Sequence, residues 1–261
     1  MLELLTAEEK SYLIGFLQGD GSHYATTRNR GRVSIEIAKR DIDILNKIED
    51  LLSDKVNVLR SNRIRDTNFK QNYESTSLCI YNWAFRKEIT EWVPIGKKSA
   101  IMQPPHWAVA KHYIRGLSDT EGSIGFRSTH EPFWSICIVS DSVKDYIISS
   151  IKNVLGVTKN INRNKRDNVY NIMLNNEEAV NYASWLYDDA IIYINRKFEK
   201  VQEIKTWTRI KKKGHRGPTW LPHEDEVAIS CASMEDKTSM LNRTAKAIRI
   251  RVCRLKQYNK N

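Results

Sequence analysis

Thiol clusters are missing from this sequence. Its four cysteines (Cys79, Cys137, Cys231 and Cys253) are scattered, with no CxxC pair and no histidine placed to complete a zinc site. That pattern predicts reduced thiols in a cytosol-like compartment rather than a disulfide framework. Long apolar runs are missing too, since none approaches the roughly 18 uncharged apolar residues of a membrane span. The opening MLELLTAEEK has neither a basic n-region nor an apolar h-region, which predicts a protein that is not secreted. The six histidines form no HNH-like cluster, and no Ser-His-Asp or Cys-His arrangement is present. Acidic charge is comparatively scarce: 31 Asp and Glu face 42 Lys and Arg, a net of +11 over 261 residues. An excess of that size points to a polyphosphate partner. A hydrophobic content of 41% excludes wholesale disorder, and the length suits one to two domains.

The positive charge is unevenly placed. From Trp207 to Asn261 there are 13 Lys and Arg against 5 Asp and Glu, a net of +8, whereas the remainder carries only +3. The change occurs at TWTRIKKKGHRGPTW, where Gly214, Gly217 and Pro218 oppose a continuous helix and suggest a solvated linker. The chain therefore divides into a near-neutral body, residues 1–206, a basic linker at 207–218 and a tail module at 219–261.

The body carries the same order of elements twice. Thr6 and Glu9 have capping-box spacing, and Leu13, Phe16 and Leu17 follow at helical spacing up to Gly19-Asp20-Gly21. RVSIEIA alternates, with Val33, Ile35 and Ile37 on one face and Arg32, Ser34 and Glu36 on the other. A helix from Asp41 to Leu52 follows, then strands near 56–64 and 73–81 and a helix from about Asn82 to Trp92. After Pro104-Pro105 the pattern restarts: a helix before Gly122, strand-like FWSICIV and a helix from Asp141 to Leu155. Strands near 157–163 and 168–174 come next, then helical material from Glu177 to Lys205. Two α-β-β-α-β-β-α copies, residues 1–103 and 104–206, predict a pseudo-symmetric α+β body.

The copies match best at their first helices. Leu13-Ile-Gly-Phe-Leu-Gln-Gly-Asp-Gly-Ser22 aligns with Ile114-Arg-Gly-Leu-Ser-Asp-Thr-Glu-Gly-Ser123, so both helices end in carboxylate-Gly-Ser. A glycine there is an ordinary C-cap, but an acid opposes the helix dipole by about 0.3–1 kcal/mol. Meeting that cost twice at equivalent places suggests a use for the charge. Gly15, Gly19 and Gly116 give the two helices small-residue faces, and close packing along them would bring Asp20 and Glu121 together. Two hard-oxygen carboxylates suit a divalent cation; without one their repulsion is unfavourable.

On these two motifs, residues 6–206 resemble the LAGLIDADG homing endonucleases. The resemblance implies a single-chain pseudo-dimer whose motif helices form the central interface, each half carrying a curved antiparallel sheet that saddles the DNA major groove. The family's eighth-position, metal-binding acid falls on Asp20 and Glu121, with Gly19 and Thr120 just before them also expected at the metal. The sixth-position Asp is replaced by Gln18 in the first copy and kept as Asp119 in the second. Gln18 either positions water or packs and caps. Mg²⁺ is the implied cofactor, or Mn²⁺, with Ca²⁺ supporting a non-cleaving complex. The family also implies a basic residue after the last strand of each half: Lys98, or its neighbour Lys97, in GKKSAI, and Lys197 in NRKFEK. Phosphodiester hydrolysis needs a positioned water, charge neutralisation and a stabilised leaving oxygen, which metals held by carboxylates and a nearby lysine supply. The expected product is a staggered double-strand break with 3′ overhangs. Whether Glu121 makes the two strand cuts unequal stays open.

Base reading then falls to the sheets. The first-half candidates are Tyr24, Thr26 and Arg28, with Arg32, Ser34 and Glu36, and beyond them Arg60, Arg63 and Arg65. In the second half they are Arg127, Arg163, Asn164, Lys165 and Arg166. The two sets differ, which predicts an asymmetric target. In the tail, helical stretches from Trp220, from Ser233 to Leu241 and from Thr244 to Lys256 fit helix-turn-helix geometry, and W-x-x-x-E-D-E with L-N-R-T-A-K-A-I resembles Myb/SANT-like domains. Ala245, Ile248, Val252 and Leu255 form its inner stripe. Arg243, Lys246, Arg249, Ile250 and Arg254 are the DNA candidates. Lys211, Lys212, Lys213 and Arg216 either contact DNA or form a solvated linker. The reading is a monomeric double-strand DNA endonuclease in a cytoplasmic, organellar or phage-host nucleoid setting. Its rivals are an RNA maturase on the same scaffold and a non-cleaving DNA-binding regulator.

Overall fold

Thr6 and Glu9 close their capping box in both directions. The Glu9 amide donates to Thr6 Oγ1 at 3.2 Å and the Thr6 amide to Glu9 Oε2 at 2.8 Å, which starts helix α1, Ala7–Gly19. The computed structural model describes residues 1–66, 71–209 and 220–258, and the chain divides into a unit spanning Met1–Arg209 and another spanning Ile210–Asn261.

In the first unit, α1 leads into strands β1 (Gly21–Ala25) and β2 (Gly31–Ala38), helix α2 (Asp43–Leu52), strands β3 (Val58–Arg65) and β4 (Tyr73–Ile80), and helix α3 (Trp83–Ile89). The strands make one antiparallel sheet in the order β1-β2-β4-β3. The second half opens in the same order and then departs from it, as α4 (Ala110–Glu121), β5 (Gly122–Phe126), β6 (Pro132–Ile138), α5 (Asp141–Leu155), β7 (Tyr170–Asn175), α6 (Asn176–Tyr187) and α7 (Asn195–Lys205). The alternation in β2 holds: Val33, Ile35 and Ile37 are buried, while Arg32, Ser34 and Glu36 face outward.

Three expectations need correction. The helix placed from Asp41 begins at Asp43, because Lys39–Asp41 forms a 3-10 turn first. The helical stretch from Glu177 to Lys205 divides into α6 and α7. The strand expected near 157–163 is absent, leaving one isolated bridge from Arg163 to Tyr170 and a three-stranded sheet, β5-β6-β7. Val157 and Ile161 still pack against the core, so their apolar pattern reports burial without a hydrogen-bonded ladder.

One continuous hydrophobic core serves both halves of this unit, and α1 and α4 meet at its centre. A Cβ on Gly15 would overlap the Tyr113 carbonyl oxygen, and one on Gly116 would overlap the Tyr12 carbonyl and lie 2.8 Å from the Phe16 amide nitrogen. The helix backbones therefore touch directly, which only glycine permits. Two reciprocal bonds cross this interface: Tyr12 Oη donates to Asp119 Oδ2 at 2.6 Å, and Tyr113 Oη donates to Gln18 Oε1 at 2.5 Å. Arg115, wholly buried on α4, donates to the Leu186 and Ile192 carbonyls and reaches across to Glu8 Oε1 at 2.7 Å.

The second unit holds helices α8 (Pro222–Ile229), α9 (Met234–Leu241) and α10 (Ala245–Tyr258). Its buried core is small, formed by Ala228, Leu241 and Ile248 with Trp220, Val227, Met234 and Val252 packed on it. Salt bridges supplement it. Arg243 makes a two-pronged contact with Glu224 at 2.8 and 3.0 Å while lying 4.2 Å over the Trp220 ring, and Arg251 pairs with Asp225. Thr244 Oγ1 accepts from the Ala247 amide at 3.3 Å, as an N-cap should. Among the described residues, no helix is long and apolar enough to cross a membrane.

Candidate active site

The packing of α1 on α4 carries both helix ends to one place. Thr120 lies directly over Gly19, where a Cβ would overlap its hydroxyl, so the next residues, Asp20 and Glu121, end their helices side by side. Both residues are exposed overall, while their carboxyl groups are crowded by protein. A cleft of about 450 Å³ is lined by Asp20, Glu36, Tyr73, Ser123, Arg196 and Lys197, which joins Asp20 to the outward faces of both sheets.

The acids are held above their usual protonation range. Crowding by protein at the cleft floor, and next the charge of Glu121, push Asp20 from 3.8 up to about 6; Lys197 and Lys98 oppose this, and Asp41 adds to it. Glu121 is raised by the same loss of water, against the pull of Lys98 and Lys197. The neutral form gains chiefly because burial disfavours each charge, and at Asp20 also because a like charge sits nearby. Replacing Glu121 by Gln is therefore expected to lower the Asp20 midpoint, since the ionised carboxylate loses its repelling neighbour. A carbon-13 carboxyl titration of the metal-free protein checks this, and an unmoved midpoint would show the two groups to be independent.

Each acid has a lysine beside it, anchored to backbone. Lys98 Nζ donates to the carbonyls of Gly19, at 3.2 Å, and Gly21. Lys197 Nζ donates to those of Ser118 and Asp119, both at 2.6 Å, and Gly122 at 2.8 Å. These carbonyls belong to the ends of α1 and α4, where the dipole is negative, and to the residue just after each acid. Burial lowers both ammonium pKa values, countered by Glu121 and Asp20 at Lys98 and chiefly by Asp119 at Lys197. Lys97 is exposed beside Lys98, so Lys98 is the residue at the acids.

No family model matches the chain, and no curated protein sequence does. Solved structures do match. The homing endonuclease I-WcaI bound to its DNA recognition sequence superposes with a TM-score of 0.53 at 13% identity, over 76% of this chain and 87% of that one. I-SmaMI bound to uncleavable DNA with a TTGT central four gives 0.51 at 11% identity, over 77% and 88%. I-SmaMI, a LAGLIDADG homing endonuclease, bound to cleaved DNA gives 0.50 at 11%, with the same coverage. The body has the LAGLIDADG homing-endonuclease fold.

Within that LAGLIDADG fold, the sixth motif positions are structural. Asp119 is buried and accepts from Tyr12, Tyr187 Oη at 2.6 Å and the Ile194 amide at 3.0 Å; burial raises its pKa against Lys197 and these hydrogen bonds. Gln18 donates to the carbonyls of Trp92 and Gln103 at 2.8 and 2.9 Å, so it packs and caps. Tyr12 and Tyr113 stand at matching places in the two motif copies, directly before Leu13 and Ile114, a match visible in the sequence itself.

The sheet candidates sort by face. Tyr24 pairs in register with Arg32, and both are exposed with Ser34 and Glu36 beside them. Glu36 gathers Arg65 at 3.0 Å, Arg63 at 3.4 Å and the Ser75 hydroxyl at 2.7 Å. Thr26 and Arg28 lie in the turn after β1 rather than in the strand. Arg60 does not belong with this set. It pairs in register with the buried Leu78 and binds Asn46 and Glu49 of α2, on the opposite face. In the second sheet, Trp134, Ile136 and Ile138 point inward, which leaves Phe133, Ser135 and Cys137 on the open face. Arg127 reaches over that face to the Met173 sulfur. Arg163 is committed elsewhere: it donates to the Val139 and Asn168 carbonyls and to Asp141, and lies 4.5 Å over Tyr170. Asn164 holds the turn by accepting from the Asp167 amide, Arg166 pairs with Asp167, and Lys165 is exposed.

In the three-helix unit, Lys246, Arg249, Ile250 and Arg254 share the exposed side of α10. Arg243 is not on it, because its guanidinium braces Glu224 and Trp220. Lys211, Lys212, Lys213 and Arg216 lie outside the described residues.

Proposed function

We propose that the chain is a site-specific, divalent-metal-dependent double-strand DNA endonuclease that acts as a monomer. One observation carries this reading: two repelling carboxylates, Asp20 and Glu121, end abutting helices, each beside an anchored lysine and on the open side of the sheets. The neighbours bound to a recognition sequence and to cleaved DNA support extending it to duplex DNA.

The donor set fits a hard cation. Asp20 and Glu121 would hold it, with Gly19 and Thr120 setting how closely the two acids approach. Among the described residues no cluster of three or more His, Cys, Asp or Glu is placed to hold a metal; two carboxylates alone would leave positions for water and phosphate oxygens, a donor set that would suit Mg²⁺ or Mn²⁺. When bound, the cation supplies charge neutralisation at the phosphate and a lowered water pKa. Lys98 and Lys197 place positive charge at the breaking bond, held rigid by the helix-end carbonyls. Because Asp20 holds its proton up to about pH 6, activity should fall below that value, where the neutral acid no longer attracts a cation.

Sequence reading is assigned to the open sheet faces. Tyr24, Arg32, Ser34, Glu36, Arg63 and Arg65 serve one half-site, and Arg127 with Ser135, Cys137 and Asn171, the exposed β7 residue in register with Cys137, the other. Such unlike sets favour an asymmetric target. The exposed side of α10, through Lys246, Arg249, Ile250 and Arg254, would extend contact in the major groove. RNA is disfavoured as that helix's partner, since the A-form major groove is too narrow for it.

The test is cleavage of a duplex selected from a randomised library by the full chain. Mg²⁺ should yield cut DNA and a chelator should prevent it; an uncut cognate duplex in abundant Mg²⁺ would overturn the nuclease reading. Deleting residues 207–261 should weaken binding and shorten the footprint on that duplex. An unchanged footprint would remove the tail from recognition.

A further inference from the structure

The two halves of the site are not equivalent, and the difference lies one residue before each anchored lysine. Arg196, before Lys197, crosses to the other repeat and grips Asp41 with both prongs, Nε to Oδ1 at 2.8 Å and Nη2 to Oδ2 at 2.9 Å. The grip is reinforced around it. The Asn195 amide donates to Asp43 Oδ2 at 2.8 Å, and Lys47 Nζ donates to the Tyr193 carbonyl and to Asn195 Oδ1. Asp41 is buried, yet the Arg196 side chain is 43% exposed. Its Nη1 has no partner among the described residues.

The counterpart before Lys98 is Lys97, exposed and with no ion pair or hydrogen bond among the described residues. The counterpart of Asp41 is Asp141, which accepts from Tyr170 and Arg163 within its own repeat. Among the described residues, the Lys197 side thus has an oriented second cation and the Lys98 side has none, and Arg196 and Asp41 line the same cleft as Asp20.

We propose that Arg196 contacts the phosphate backbone at one of the two cleavage positions, that Asp41 of the other repeat is its positioning residue, and that the two strands are therefore cut at unequal rates. The proposal rests on the endonuclease reading for its rates but not for its contact. A guanidinium held at Nε and Nη2 presents Nη1 in a fixed direction, which a free lysine cannot match. Losing one charge-assisted contact made in the transition state costs about 10- to 100-fold in rate.

The experiment uses the full chain on a selected duplex labelled separately on each strand. Arg196→Ala and Asp41→Ala should each slow cutting of the same strand by about 10- to 100-fold, so that nicked duplex accumulates, while the other strand stays within about 3-fold. The double variant should be no slower on that strand than Arg196→Ala alone, as residues acting as a unit require. Equal slowing of both strands would assign the pair a structural role and overturn the proposal, as would no slowing of either. Phosphate-ethylation interference in Ca²⁺ provides a readout independent of cutting. Wild type should show interference at a phosphate that Arg196→Ala no longer senses. If wild type binds but does not cut, the nuclease reading fails and this arm alone decides the contact; an unchanged pattern rejects it.

Discussion

Asp20→Asn and Glu121→Gln are each expected to reduce double-strand cleavage by about 10³-fold or more while leaving duplex affinity nearly unchanged. The size follows from what each carboxylate does. On the proposed metal-dependent reading, removing either would leave one acid to hold the cation, and several kcal/mol of transition-state stabilisation would go with it. Under the proposed function, binding would be carried by other groups, the sheet faces and the basic side of α10, through phosphate contacts that weaken steeply with salt. Neutralising an acid that faces phosphate also removes a repulsion, so affinity should hold or rise slightly. Cleavage and gel-shift assays on one duplex at one ionic strength separate the two effects. Joint loss of binding and cutting would show the acids to be structural.

The second large effect concerns stability and has an inverted sign. In an ordinary helix, Gly→Ala stabilises by about 0.5–1 kcal/mol. Gly116→Ala should instead destabilise the body by about 3 kcal/mol or more, because the new Cβ meets the Tyr12 carbonyl and the Phe16 amide rather than a movable side chain. Relief would require α1 and α4 to separate, which loosens the reciprocal Tyr12–Asp119 and Tyr113–Gln18 bonds and spreads Asp20 from Glu121. Calorimetry should show a melting temperature lower by about 6–12 °C. An unchanged or higher value would mean that the helices do not touch as described. Gly15→Ala, facing the Tyr113 carbonyl, is expected to behave alike.

These two expectations share a cause. The acids are useful only where the helices end side by side, and they end side by side only because Gly15 and Gly116 admit backbone contact. The same packing explains the sixth motif positions: Asp119 and Gln18 sit too deep to meet a substrate, and each satisfies the partner helix's tyrosine.

The linear sequence determined the duplicated order, the outward face of β2, the helix caps at Thr6 and Thr244 and the pairing of Asp20 with Glu121, because these follow from local periodicity and from two matched motifs. Lys197, and Lys98 with a neighbour as rival, were pointed to only by the family resemblance. The sequence was silent wherever the answer depended on which surface a side chain meets. Arg60, Arg163 and Arg243 look like free cations in one dimension; Glu49, Asp141 and Glu224 claim them only once helices, sheets and turns are packed. The missing strand near 157–163 failed for a related reason, since Val157 and Ile161 bury their side chains whether or not the backbone finds a partner. Tertiary structure alone chose Lys98 over Lys97 and joined Arg196 to Asp41, 155 residues apart, because contacts that distant leave no periodic trace in the chain.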